Sequence, residues 1–217
     1  MKLRHWLRYK FLHDTTWHGQ FAALGRLLLK RPVIEPVVVD VGAHDGFFSS
    51  NSYPFIKRGW RALLIEPHPG AFEKAQQLHR NHPSVTVLNL ACSDHEGREE
   101  LNLFQGDEAG SLSALSGAGA VTASKRGIAR AITVQVTVLE ALLRHHRIPE
   151  RFGLLTVDTE GQDFAVLRGL NLSHFRPRAI ITEKYNDDTS KFDHLQKHGY
   201  QLYADLEHDT VWTVLEV

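Results

Sequence analysis

The sequence predicts a doubly wound α/β domain around a mostly parallel sheet. Three observations carry this. Short β-branched apolar runs recur along the chain, helical stretches separate them, and a glycine bend follows the first run directly. Strands that alternate with helices build parallel sheets, and strands buried on both faces read as continuous apolar runs.

The elements follow in order. Residues 3 to 30 read as helical, with Trp6, Tyr9, Phe11 and Leu12, then Phe21, Leu24, Leu27 and Leu28, at three- and four-residue spacing. Asp14, Thr15 and Thr16 offer caps for the second piece, and Arg31-Pro32 ends it. Strands are expected at Val37 to Val41, Ala62 to Ile65, Val85 to Leu90, Leu154 to Val157 and Ala179 to Thr182. Helices are expected at Ser49 to Arg58, Gly70 to His82, Thr137 to His146, Asp163 to Leu170 and Thr189 to His198. Tyr200 to Asp205 and Thr210 to Leu215, around Glu207-His208-Asp209, predict an antiparallel hairpin at one sheet edge. The division is a helical appendage over 1–35 and the main domain over 36–217. Within it, the Gly/Ala/Ser-rich stretch 105–130 is expected to be a mobile loop over the acceptor site.

Composition narrows the function. The chain has 217 residues, with Lys plus Arg equal to Asp plus Glu at 25 each, so overall charge calls for no nucleic-acid partner. Cys92 is the single cysteine, which leaves no intrachain disulfide and no thiolate zinc cluster. No stretch approaches a membrane span in length, and a cytoplasmic protein is the expectation.

Four motifs carry chemistry. Asp40-x-Gly42-x-x-x-Gly46 leaves a strand and enters a helix, and its glycine spacing differs from the dinucleotide fingerprint. An acidic Asp40 beside the bend disfavours a phosphate and suits a cationic amino group or sulfonium. Glu66, followed by Pro67, ends the next strand, where a carboxylate accepts hydrogen bonds from ribose hydroxyls. Ala91-Cys92-Ser93-Asp94 offers a small-residue turn with room for a planar base; an Asp-initiated turn is the plainer explanation. Asp158 and Glu160 flank Thr159 after the fourth run and point to one side of an extended chain. Two such carboxylates raise each other's pKa or share a cation, and Glu183 closes the neighbouring run. His194 and His198 stand four apart without a third ligand. Ser111 and Ser113 lack a nucleophile elbow, and a phosphate-binding Gly-Lys-Ser/Thr run is missing.

These pieces together resemble the FkbM-type methyltransferases. The marks are DVGAHDG (40–46) with Ser50-Asn51-Ser52, Gly59-Trp60, IEPHP (65–69), ACSDHEG (91–97), Thr137 to Glu140, VDTEGQDFAVLRGL (157–170) and Glu183 to Asn186. The resemblance implies a class I fold with a seven-stranded sheet and a methyltransferase using S-adenosylmethionine. Its usual acceptor is a hydroxyl of a sugar, glycan or other natural product. Asp40, Gly42 and Gly46 would line the methionine side, with Ala43, His44 and Asn51 counted beside them. Glu66 with Pro67 would hold the ribose, and Cys92, Ser93 and Asp94 would flank the adenine. Asp158, Glu160 and Glu183 would be catalytic, with Glu160 or Asp158 as general base and His44 in reserve. A variant has these three carboxylates hold Mg²⁺. His68 departs from a common Asn, and Glu140 from a common Asp. Partners are expected to be a small-molecule or glycan acceptor and, in one arrangement, a second copy in a homodimer. Two other readings are a non-catalytic binding module on the same scaffold and an NAD-dependent oxidoreductase, against which the glycine spacing argues.

Overall fold

The structure is a computed structural model, which describes residues 13–16, 19–29, 35–104, 113–115, 127–184 and 189–214. Strands β1 (Val37–Val41), β2 (Arg61–Ile65), β3 (Val85–Leu88), β8 (Leu154–Val157), β9 (Ala179–Glu183), β10 (Tyr200–Asp205) and β11 (Asp209–Val214) form one seven-stranded sheet. Its order is β10-β11-β9-β8-β1-β2-β3. All pairings are parallel except those of β11, which runs antiparallel between β9 and β10. The expected C-terminal hairpin is therefore present at the edge.

The alternation of strand side chains divides the core into two layers. Val37, Val39 and Val41 join Leu139, Leu143, Val166, Leu167 and Leu195 on one face. Val38, Leu64 and Leu154 join Phe55, Phe21, Leu24 and Leu28 on the other. The last three belong to α1 (Gln20–Leu28), which packs on β9 and β11. The described part of the expected appendage is thus built into the core. The N-cap is Gly19, at a left-handed φ of 87° and with no side-chain cap, instead of the anticipated Asp14, Thr15 or Thr16. Thr16 Oγ1 still accepts the Phe21 N–H at 3.2 Å from outside the helix, and Asp14 Oδ1 accepts from that hydroxyl at 2.7 Å. Residues 3–12 of the expected helix lie outside the described residues.

Helix boundaries shift for local reasons. The helix expected over 49–58 reduces to α2 (Tyr53–Ile56). Ser49 has a left-handed φ of 55°, and Ser50 Oγ accepts the Tyr53 N–H at 3.0 Å, which keeps the preceding turn open. Helix α3 (Pro69–His79) begins where His68 Nδ1 accepts the Ala71 N–H at 3.1 Å, and Pro69 suits the first turn. Helices α4 (Leu139–His145), α5 (Asp163–Arg168) and α6 (Ser190–Lys197) fall where expected, each shorter at its ends.

One sheet was not anticipated. β4 (Ala91–Ser93), β5 (Gly97–Phe104), β6 (Ala114–Leu115) and β7 (Ile128–Val138) form a four-stranded sheet ordered β4-β7-β5-β6. It corrects three expectations. The strand expected over 85–90 stops at Leu88, and the chain crosses to the second sheet. Thr137 and Val138 close β7 instead of opening a helix. Residues 114–115 and 128–130 of the expected loop are strand; residues 105–112 and 116–126 lie outside the described residues. Among the described residues no helix is long and apolar enough to cross a membrane.

Candidate active site

The bend after β1 explains its glycines. Gly42 has φ +86°, and a Cβ there would lie 1.8 Å from the carbonyl oxygen of Asp158. The constraint is the backbone that follows β8 in this same chain. Gly46, at φ +73°, packs against the buried ring of His79 behind the bend.

A cleft opens where β1, β2 and β8 end, at the switch point of the sheet, and encloses about 990 Å³ with its mouth included. Asp40, Gly42, Ala43, His44, Asn51, Glu66, Pro67, Cys92, Asp158 and Glu160 of the anticipated set line it. Gly46, Ser93, Asp94 and Glu183 do not. Asp94 instead accepts from Arg168 Nη2 at 2.5 Å and contacts His95 Nδ1 at 3.0 Å on the surface. The cleft also takes in residues the sequence reading missed: Thr156, Gln162 and, from the second sheet, Leu101 and Leu115. The alternation Ile132, Val134, Val136, Val138 was the available signal for that sheet.

Glu66 is 4% exposed and bridges two backbone segments. Its Oε2 accepts the His44 N–H at 2.8 Å, and its Oε1 accepts the His68 N–H at 2.7 Å. Burial raises its pKa to about 7 against those two hydrogen bonds. Burial likewise raises Asp40 to about 6, although Ser52 Oγ donates to it at 2.5 Å. Burial would also raise Asp45, but His44 and the Phe48 and Phe47 amides more than offset it, and its carboxylate stays below the usual range. Burial pushes the Cys92 thiol up to about 12, so it lines the cleft as a neutral group and no thiolate chemistry is expected of it.

The carboxylates at the ends of β8 and β9 meet. Asp158, Glu160 and Glu183 place oxygens within 4.8 Å of one another. Glu160 holds a left-handed φ of 53°, a conformation that costs a non-glycine residue about 1–2 kcal/mol. Desolvation and the neighbouring Glu160, Asp163 and Asp209 raise Glu183 to about 8. Asp158 is raised as well, by its deep setting and then by Glu183 and the other carboxylates, even though water reaches it through the cleft.

Glu183 opens onto a second recess of about 600 Å³, lined by Gln20, Phe48, Ser49, Asn51, Asp158, His208 and Asp209 as well. Phe48, Ser49, Asn51 and Asp158 belong to both hollows, which makes them adjoining parts of one site. Gln20 and Asp209 escaped the sequence reading; Gln20 Nε2 donates to Asp209 Oδ2 at 2.7 Å across 189 positions of chain.

The arrangement matches known proteins in fold and sequence. A methyltransferase from Methylobacillus flagellatus KT, described as FkbM, superposes with a TM-score of 0.53 and 14% identity over 94% of this chain and 50% of its own. The present chain therefore spans about half that protein's length. The methyltransferase domain of METTL16 superposes with a TM-score of 0.53 and 11% identity, over 97% and 77% of the two chains. At such identities these likenesses establish the shared fold. No curated protein matches the sequence. The model of the methyltransferase FkbM domain matches residues 40–202, most of the chain, so this protein belongs to the FkbM methyltransferase family.

Proposed function

We propose that the protein transfers a methyl group from S-adenosylmethionine to a hydroxyl oxygen of a sugar, glycan or related natural product. The observation that carries this is the junction of the two hollows: a nucleoside-sized cleft passes, at Asp158 and Asn51, into an acidic recess. The cleft residues fit the donor. Asp40 offers a carboxylate to its cationic amino-acid end, and Glu66 keeps lone pairs for the ribose hydroxyls. Cys92, Leu101 and Leu115 give a dry wall for the base. When bound, the donor supplies an activated methyl on a sulfonium.

The chain's own residues must orient the acceptor and draw off its proton. Asp158, Glu160 and Glu183 are the groups at the junction able to do so; burial and the neighbouring carboxylates raise Asp158, and raise Glu183 to about 8, which suits proton uptake by Glu183 near neutral pH. Glu160→Gln is expected to lower turnover by about 10²-fold or more, on the scale of a lost general base, while leaving donor affinity nearly intact.

Calorimetric titration with S-adenosylmethionine, with NAD as control, is the test. Micromolar binding of the first alone, weakened by Glu66→Ala, supports the reading and opens an acceptor screen. Binding of neither would favour a non-catalytic module, and binding of NAD would overturn the donor assignment.

A further inference from the structure

The acidic recess and the adjoining cleft gather several carboxylates. Asp158, Glu160 and Glu183 bring their carboxylates within 4.8 Å of one another. Asp209 stands directly opposite Glu183 in the β9–β11 register, and like charges facing across strands repel. Two nearby carboxylates are answered. Asp163 accepts from Thr159 and Glu183 backbone amides and faces Lys191 at 3.8 Å, and Asp209 accepts from Gln20. Among the described residues that line the recess, His208 alone can carry positive charge, and its side chain is 62% exposed.

A second observation is independent of the charge cluster. Asn51 lines both hollows and is only 8% exposed, yet its Oδ1 has no hydrogen-bond partner. Glu183 Oε2 is buried in the same recess and also lacks one. Buried orphan acceptors are rare, and two of them beside one cavity point to a bound species that supplies the missing partner. Carboxylates joined by an amide carbonyl form the hard oxygen set that Mg²⁺, Mn²⁺ and Ca²⁺ prefer.

We propose that Asp158, Glu160 and Glu183, with Asn51 Oδ1 as a neutral oxygen, hold a divalent metal ion next to the methyl donor. The role rests on the methyltransferase reading above: the ion binds the acceptor hydroxyl and lowers its pKa. The hydroxyl proton passes to solvent water, and an oxygen lone pair forms the bond to the methyl carbon. The carbon–sulfur pair stays on sulfur, leaving a neutral thioether. With the ion bound, the carboxylates act as its ligands, and the proton they would take in its absence leaves to water.

The test uses the full chain freed of metals with EDTA. Mn²⁺ is titrated and followed by the electron paramagnetic resonance of the free ion, and Mg²⁺ and Ca²⁺ by calorimetry. The expected result is one saturable site, weakened at least tenfold by Glu183→Gln and, separately, by Asp158→Asn. Circular dichroism checks that both variants fold, and Glu183→Gln should keep its donor affinity. Absence of saturable binding for all three ions, or equal binding in both folded variants, would overturn the proposal. Titration with S-adenosylmethionine on the same samples separates the two readings. Ion binding without donor binding sustains the site and removes its catalytic role; donor binding without ion binding overturns the metal site and leaves the methyltransferase reading standing.

Discussion

Asp163 Oδ2 accepts the backbone N–H of Glu183 at 3.0 Å, tying the start of α5 to the end of β9. Its other oxygen accepts both the N–H and the hydroxyl of Thr159, at 3.0 and 2.8 Å. One buried carboxylate thereby sets the backbone on which Glu160 and Glu183 sit, and the buried Lys191 binds both Asp163 and the carbonyl of Glu183.

Asp163→Ala should be severely destabilising, because it strands Lys191 and two backbone amides. Breaking such a buried pair costs roughly 3–5 kcal/mol. Denaturant unfolding measures this, and Asp163→Ala with Lys191→Met should recover part of the loss. A single variant as stable as wild type would contradict the bracing role.

Gly42 and Gly59 separate two reasons for glycine. Both have positive φ, but a Cβ at Gly59 meets nothing within 4 Å, whereas at Gly42 it meets the Asp158 carbonyl. Gly59→Ala should cost about 1–2 kcal/mol, the conformational part alone. Gly42→Ala should cost clearly more and also weaken donor binding, since the bend must move. Thermal melts of the two variants would show equal losses if sterics at Asp158 did not matter.

On the proposed donor site, Glu66 should make donor affinity depend on pH. Its pKa in the folded chain, about 7, exceeds the ordinary 4.5, so between those values the folded chain holds a proton that the unfolded chain has released. Stability from this group is complete below pH 4.5 and is lost as pH rises through 7. If ribose hydroxyls donate to the Glu66 carboxylate as proposed, binding should release a proton. Affinity is expected to rise by up to about tenfold per pH unit below 7 and then level off. Calorimetry at pH 6, 7 and 8 checks the slope, which Glu66→Gln should abolish.

Glu183 acts in the same direction over a wider window. Raised to about 8, it weakens the metal-free fold progressively from pH 4.5 to 8. In EDTA, Glu183→Gln should therefore gain melting temperature relative to wild type as pH rises, with the gain vanishing near pH 5. A pH-independent difference would show that the carboxylate cluster carries no strain.

What could be read from the chain was whatever short-range pattern encodes. Val37 to Val41, Leu154 to Val157 and Ala179 to Thr182 announce doubly buried strands because nearly every residue in them is apolar. Glu66 and Asp158 could be read because they end such runs. The ribbon of β5 and β7 escaped because GREELNLF mixes charges into a half-exposed strand. The alternation in β7 was overshadowed by the glycine-rich stretch before it.

By itself, then, the sequence determined the sheet, its glycine bend, the family marks and the carboxylates at the strand ends, since periodicity and strand-to-bend transitions are local properties. The tertiary structure decided why Gly42 must be glycine, that Asp163 braces the site and that Asp94 turns to Arg168. It also decided that Gln20 and Asp209 wall a recess beside Glu183. Each of these depends on side chains and backbone brought together by the packing of distant segments, and no short-range pattern records which distant partner will arrive.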